Sequence, residues 1–439
     1  MNKVILLAIF SFLFCSSYSQ PGSAVVNFTV LDDQTGEPVH CNARIKNTSG
    51  QPFFPDSNYY WQSFQGVFPD YPNDGTFSIK LPNGKYNYEV DRGPEYTLAS
   101  GSVEIKDQDL NIVLRLKRIA DMKKNNWWPG ELHVHRKLVD IEFLMQCSDI
   151  HIAPAISSWN EHYPGNSPAI YNGTPKQFDT NRFYTTSGSE DERAGGAILV
   201  LNTPTPIDFS KAKSNYPPLA ASVEKVNRMY GNNAWIDIEK PYWWDVPILL
   251  ATGKMHSVGI ANNHMDRDGV FNSEAWGKPR DTVEYPFPRG NGYYAQDIYY
   301  HMVNAGIKIS PSAGSASGVL LNPVGYNRVY AYVENGLTYD KWFKSLEQEK
   351  IFVTNGPMLI CKANDQYPGK IFTSSKSVKI KIDADIISRD SIDMIEIIKN
   401  GKVYKTIPGD QLSNGKYHDE ISFDQSGWFL ARVLCKTPG

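Results

Sequence analysis

Cysteine is scarce. Five in 439 residues cannot hold a chain of this length together as a disulfide framework. Neither sign of charge dominates: 44 Lys and Arg stand against 47 Asp and Glu, for a formal charge of -3. That balance gives no basic footprint for nucleic acid and no pull toward anionic lipid. Past the N-terminus no apolar run is long enough to span a bilayer as a helix. A G-x-S-x-G elbow, an H-E-x-x-H helix and a P-loop are all missing, which removes the serine-hydrolase, zincin and nucleoside-triphosphatase readings. What remains is ordinary globular composition, 41% hydrophobic and 21% charged, so wholesale disorder and a collagen-like fibre are excluded. At roughly 100–200 residues per domain the length predicts two to four domains.

The first residues carry Lys3, an apolar run over 4–14 too short to span a membrane, and the small residues Ser17 and Ser19. This pattern predicts a secretory signal over residues 1–19 and an exported protein, secreted or periplasmic. Cys15 follows the bulky Phe14, which argues against a lipid anchor at that thiol. Cys361 and Cys435 both sit in strand-like runs near the C-terminus; a disulfide between them and two buried free thiols both remain open, because spacing alone does not supply the required Cα separation.

Residues 20–118 read as short alternating runs (AVVNFTVLD, GTFSIKLP, KYNYEV, NIVLRLK) separated by QTGEP, PNDG and PNG turns, the pattern of a β-sandwich. The D-x-x-T-G-x-P-V motif there resembles the carboxypeptidase regulatory-like modules that accompany secreted enzymes. Over 119–355 strand-like runs (ELHVH, DIHIAPAI, AILVLN, AWIDIE, SVGIANN, KISPSA, RVYAYV) alternate with helix-like ones (VDIEFLMQC, AASVEKVNRMY, YAQDIYYHMVNA, YDKWFKSLEQE). Such alternation predicts α/β architecture with ligands at the C-terminal ends of parallel strands. The irregular stretches 157–180 and 202–218 exceed normal connections. Alternation returns over 356–439 with SVKIKIDADI, MIEIIKNGKVYKTI and WFLARVLCK, a second small sandwich. Its last run is so apolar that an exposed edge, completed by a further strand beyond residue 439, is expected.

His133 and His135 stand at i and i+2 in a strand-like run, so both imidazoles face one way, a natural start for a zinc, iron or manganese site. Further candidates sit at other strand ends: Asp237 and Glu239 in AWIDIEKP, His264 after SVGIANN, and Glu190, Asp191 and Glu192 in GSEDERAGG. Glu239 is flanked by Ile238 and the PYWW run, and a carboxylate there would be buried unless paired or metal-bound. The acidic run of three reads more readily as a solvated turn. His151, inside the apolar run DIHIAPAI, reads as a core histidine.

GELHVHR, the segment GSASGVLLNPVGYNRVYAYV and the closing IFVTNGPML together resemble the polymerase-and-histidinol-phosphatase (PHP) superfamily, and within it the secreted carbaryl-hydrolase-like (CehA/McbA-type) metallohydrolases. The resemblance covers about 119–355. It implies a multidomain α/β protein: a distorted PHP-like βα barrel flanked by two small β-sandwich domains, with a metal centre that hydrolyses ester or phosphoester bonds. His133 and His135 match the family's first H-x-H, and Glu190 matches its third-strand carboxylate. Other ligands are replaced. The Asp-His after strand two is absent, with Asn160 or His162 near its place; the Gly-His reads Gly196 and Ala197; the His-Pro reads Lys240 and Pro241; the Asp-x-His reads Ala316, Ser317 and Gly318.

The expectation is therefore an exported hydrolase holding one divalent ion (zinc, manganese or iron) on His133, His135, Glu239 and His264, which generates hydroxide from a bound water. Glu190 would act as base and Arg136 would hold an anionic group. The substrate would be a small molecule, either an ester, a phosphoester or a glycan-derived compound. The alternative is a non-catalytic carbohydrate- or surface-binding protein using an aromatic cleft that includes Trp159, Trp243 and Trp244. Neither reading involves nucleic acid or a membrane span.

Overall fold

The computed structural model describes residues 22–55, 62–63, 66–165 and 167–436; the expected signal segment lies outside the described residues. Alternation builds the N-terminal module as the sequence suggests. In β1 (Ser23–Asp32) Val26, Phe28 and Val30 face inward. This strand runs parallel to β6 (Leu110–Leu116) and antiparallel to β3 (Thr76–Pro82). The facing sheet joins β2 (Cys41–Asn47), β4 (Gly84–Asp91) and β5 (Ala99–Ile105). Phe28 stacks on Phe77 at 4.7 Å inside the core between the two sheets.

The central region runs β7 (Trp127–Gly130), α1 (Ile141–Cys147), β8 (Ile152–Trp159), β9 (Phe183–Arg193), β10 (Gly196–Leu201), α2 (Leu219–Tyr230), β11 (Trp235–Ile238), α3 (Val246–Ala251), β12 (Ser257–Ala261), α4 (Gly290–Asn304), β13 (Ser310–Ala313), β14 (Arg328–Tyr332), α5 (Tyr339–Glu347) and β15 (Ile351–Thr354). One sheet holds these nine strands in the order β13-β12-β11-β10-β9-β8-β7-β14-β15. Residues 131–135 continue β7 and nearly close this sheet into a barrel, with Leu132 N donating to Ala313 O and Val134 bridging both Ala155 and Ser317.

The expected βα barrel is not what forms. Of the described residues 41% are strand and 15% helix, and the barrel-like sheet is mixed, because β9-β10-β11 run antiparallel to one another between parallel neighbours. The physical reason lies at Ala194 and Gly195. They close a tight β9–β10 hairpin where a βα unit would need a crossover helix. The helix-like runs do form helices, but these pack outside a largely β frame. In α5, Thr338 caps the N-terminus by accepting from Lys341 N at 3.2 Å, while Trp342, fully buried, donates its Nε1 to Trp128 O.

The C-terminal module packs two three-stranded sheets around one core. These are β16 (Met358–Ala363), β17 (Val378–Ile387) and β20 (Lys416–Phe423) on one side, and β18 (Ile392–Lys399), β19 (Lys402–Pro408) and β21 (Phe429–Cys435) on the other. Among the described residues β21 pairs only β18 and lies at a sheet edge, with all seven of its residues half-buried. Cys361 and Cys435 stand on opposite sheets as free thiols. Ion pairs tie the modules together: Arg389 reaches Asp91 from the C-terminal module, Arg267 reaches Asp70 from the barrel, and Arg44 joins Asp70 to Asp268. Among the described residues no helix is long and apolar enough to cross a membrane.

Candidate metal centre

The two histidines of ELHVH reach one side of the chain because Val134 is held on the other. Val134 is fully buried against Ile141, Met145 and Ala153, and strand alternation then turns His133 and His135 together toward the barrel interior. The neighbouring GSASG segment lets the backbone come close. A Cβ on Gly314 would stand 2.3 Å from His133 Cβ, and Gly318, at φ +111°, lies with its Cβ position 2.4 Å from His135 O. Glu131, fully buried, clamps the two segments by accepting from the backbone N–H groups of Ser315 and Gly325. Burial raises its carboxyl to about 7.

Glu190 comes from the middle of β9, opposite Trp159 of β8 and Leu199 of β10. Its Oε2 lies 2.8 Å from His135 Nε2 and 3.6 Å from His133 Nε2, and the two Nε2 atoms are 3.0 Å apart. Three atoms so spaced lie on a circle of radius about 1.9 Å, shorter than a metal–ligand bond of ~2.1 Å, so one ion can stand at bonding distance from all three. Oε2 is buried and has no aligned hydrogen-bond donor, an orphaned acceptor of the kind a cation satisfies. His133, His135 and Glu190 are the one such donor group among the described residues. Two imidazoles and a carboxylate on one face suit zinc or iron(II) and leave coordination positions open.

The electrostatics agree. Burial works against charge on His133, yet Glu190 and then Glu239 raise its pKa above the ordinary imidazole value. At His135 burial prevails and lowers it. Burial would raise Glu190, but the two imidazoles hold it well below the usual carboxylate range. A cluster that gathers a proton this way has a surplus of negative charge, and a divalent ion competes for the same place.

Around the donors stand groups that fix them. Glu239 Oε1 lies 3.8 Å from His133 Nδ1, the ring nitrogen away from Glu190. Both its oxygens are engaged, Oε1 by Lys240 Nζ and Asn263 Nδ2 and Oε2 by Trp243 Nε1. Its place is behind His133, as a nearby negative charge beyond hydrogen-bond distance of the ring. Glu192, two residues beyond Glu190 on the same face, accepts from Trp159 Nε1 at 3.1 Å, and the Trp159 ring lies 5.1 Å from that of His135. Burial, then the charges of Glu190 and Glu239, push Glu192 up to about 8. Asp237 accepts from Ser257 and Ser312 deeper in the barrel.

Other expected residues lie elsewhere. His264 is not brought into the donor group. Its own N–H donates to Asn262 Oδ1, which closes a turn that sets its Nδ1 against Tyr242 Oη and Ser273 O, at 3.0 and 2.8 Å, and burial lowers it to about 3. Arg136 stacks on Phe68 of the N-terminal module, 3.4 Å from the ring centroid, and its Nε donates to Ser317 Oγ. It braces a module boundary, and burial lowers it to about 9. Asn160 holds the β9 backbone through Glu192 N, and His162 pairs with Trp159 through the backbone. His151 Nδ1 meets Asn181 O in the core. Glu190, expected as a base, stands instead among the donors. The i, i+2 spacing of Glu190 and Glu192 was the available signal for that acidic run, since it is strand periodicity within a segment leading straight into AILVL. A cavity of about 1210 Å³ lies away from this centre, between α4, β15 and the C-terminal module.

No family model matches the chain, and no curated protein matches it. Among solved structures, the Bacillus anthracis TIE protein is 18% identical over 27% of this chain and 20% of its own, at a TM-score of 0.17. A streptococcal ancillary pilin is 12% identical over 26% of this chain and 37% of its own, also at 0.17. The chain thus spans well under half the length of either, and neither likeness assigns it a fold or a function.

Proposed function

We propose that the barrel is a metal-dependent hydrolase acting on ester or phosphoester bonds, with one divalent ion (zinc, manganese or iron) on His133, His135 and Glu190. The observation that carries this reading is the spacing of three buried donor atoms around a single point at bonding distance from each. When bound there, such an ion supplies Lewis acidity and lowers the pKa of a coordinated water. Glu239 sets a negative charge 3.8 Å behind the His133 ring, at Nδ1. Glu192 is placed beside the cluster, with its carboxyl steadied by Trp159, as the proton-transfer group.

The test is reconstitution of the metal-free chain with zinc, manganese or iron(II), followed by assay against p-nitrophenyl acetate and p-nitrophenyl phosphate. Metal-dependent turnover that falls sharply in Glu192→Gln, with the ion retained, supports the reading. An ion bound without turnover of either ester leaves the binding protein as the better account.

A further inference from the structure

We propose that Trp159 and Asn160 are positioning residues that hold the Glu192 carboxylate off the ion carried by His133, His135 and Glu190, so that a coordination position stays open for water and substrate. The inference rests on the metal-dependent reading above and adds to it the device that keeps the centre open.

Glu190 and Glu192 stand at i and i+2 of β9, so both point to the donor side, about 6.6 Å apart along the strand. That is within reach of a glutamate side chain, and two carboxylates so placed both close on a divalent ion unless one is restrained. Glu192 is nevertheless not in the donor group, whose atoms lie within 4.8 Å of one another.

The restraint comes from the end of β8. Trp159 lies opposite Glu190 in the parallel ladder, and the next residue, Asn160, takes a left-handed φ of +48°, which asparagine tolerates. Its N–H donates to Glu190 O at 3.2 Å. The chain then leaves the ladder, and the Asn160 side chain supplies the next acceptor, with Oδ1 taking the Glu192 N–H at 2.8 Å. One residue thus sets the backbone at both acids. Trp159 Nε1 donates to Glu192 Oε2 at 3.1 Å, which ties the carboxylate to the indole. His135, Trp159 and Glu192 are half-buried, whereas His133, Glu190 and Glu239 are buried. The tether therefore stands on the side of the cluster that solvent reaches.

The experiment loads the full chain with cobalt(II), whose visible absorption reports its ligands, and titrates azide, which fills an open position on the ion. The chains are the parent, Trp159→Phe, Asn160→Gly, and each of these combined with Glu192→Gln. Phenylalanine keeps a ring beside His135 and removes the N–H; glycine keeps the left-handed φ and removes the acceptor. Both single variants are expected to hold cobalt and to bind azide about 10- to 100-fold more weakly, the scale on which loss of an outer partner disturbs a metal site, because the freed Glu192 competes for the position. Adding Glu192→Gln should recover most of the parent's azide affinity, a rescue that a merely structural role would not show. A single variant that takes azide as the parent does overturns the role of the residue it replaces. A combined variant as weak as its single counterpart overturns the proposal, and so does a single variant that loses cobalt, since a freed carboxylate adds a donor. If Trp159→Phe does not fold, Asn160→Gly decides on the same criteria. A parent that holds cobalt but takes no azide overturns this proposal alone; a parent that takes up no cobalt refutes the metal reading, and this proposal with it.

Discussion

Replacing Glu239 by Gln removes one charge from a buried pair and leaves a single acceptor oxygen where Asn263 and Trp243 each meet a separate carboxylate oxygen. Glu239 and Lys240 are each 3% exposed, so the substitution strands an ammonium inside the barrel. Breaking a buried pair from one side destabilises by about 3–5 kcal/mol, and because the amide keeps only one of the two hydrogen bonds from neutral donors, the loss is at least about 3 kcal/mol. For a barrel of this size that corresponds to a fall of roughly 6–12 °C in Tm. Lys240→Met alone leaves the opposite charge and should act in the same direction. The double variant Glu239→Gln/Lys240→Met should be less destabilised than the two singles added, with a coupling of about 1–3 kcal/mol. Thermal and urea unfolding of the metal-free chain measures this, and amide exchange in β11 and β12 assigns the transition to the barrel. A Glu239→Gln chain within about 1 kcal/mol of the parent, or additive singles, would refute the burial argument.

Further outcomes follow from the same geometry. Glu239→Gln should also weaken metal binding, since it removes a negative charge 3.8 Å from His133 Nδ1, and Glu190→Gln by more, since it changes a donor; competition with a chelator orders the two, and the reverse order would place the ion beside Glu239. His133→Ala with His135→Ala should abolish metal retention and leave both sandwiches folded, as read by amide exchange in β1 and β17. Gly314→Ala should displace His133 and lower metal affinity, because the added Cβ meets His133 Cβ at 2.3 Å; unchanged affinity would show that the segment yields freely. Asp91 is held well below the usual carboxylate range, since Arg389 and Arg267 outweigh its burial. A group depressed in the folded state contributes stability above its unfolded pKa and loses it as pH falls. Tm should therefore hold from neutral pH to about 5 and drop below about 4, and Asp91→Asn should flatten that drop; identical profiles would remove Asp91 from the acid transition.

Strand alternation made β1, β3 and β17 legible, because one face of each is buried and the period of two survives in the residues. The same rule located His133 and His135, with Val134 between them packed on the opposite side, against α1. The hairpin of β9 and β10 was not legible. AILVL is buried along its whole length, and a continuous apolar run carries no sign of whether its partner is parallel. His264 shows a second limit. Its residue type and place after a strand suit a ligand, but the Asn262 side chain closes a turn that aims the ring at Ser273, and side-chain direction after a strand end is set by such local hydrogen bonds. Glu190 and Glu192 resemble a solvated turn by charge alone and become interior residues only once β8 and β10 cover them.

The central claim is that His133, His135 and Glu190 share one ion. The most direct measurement is elemental analysis of the chain after incubation with zinc, manganese or iron(II) and removal of free metal, in parallel with Glu190→Ala and His135→Ala. The account predicts about one equivalent per chain in the parent and little in either variant, in keeping with a site whose ion is held by three side chains. A parent without metal, or variants that retain it as the parent does, would contradict it.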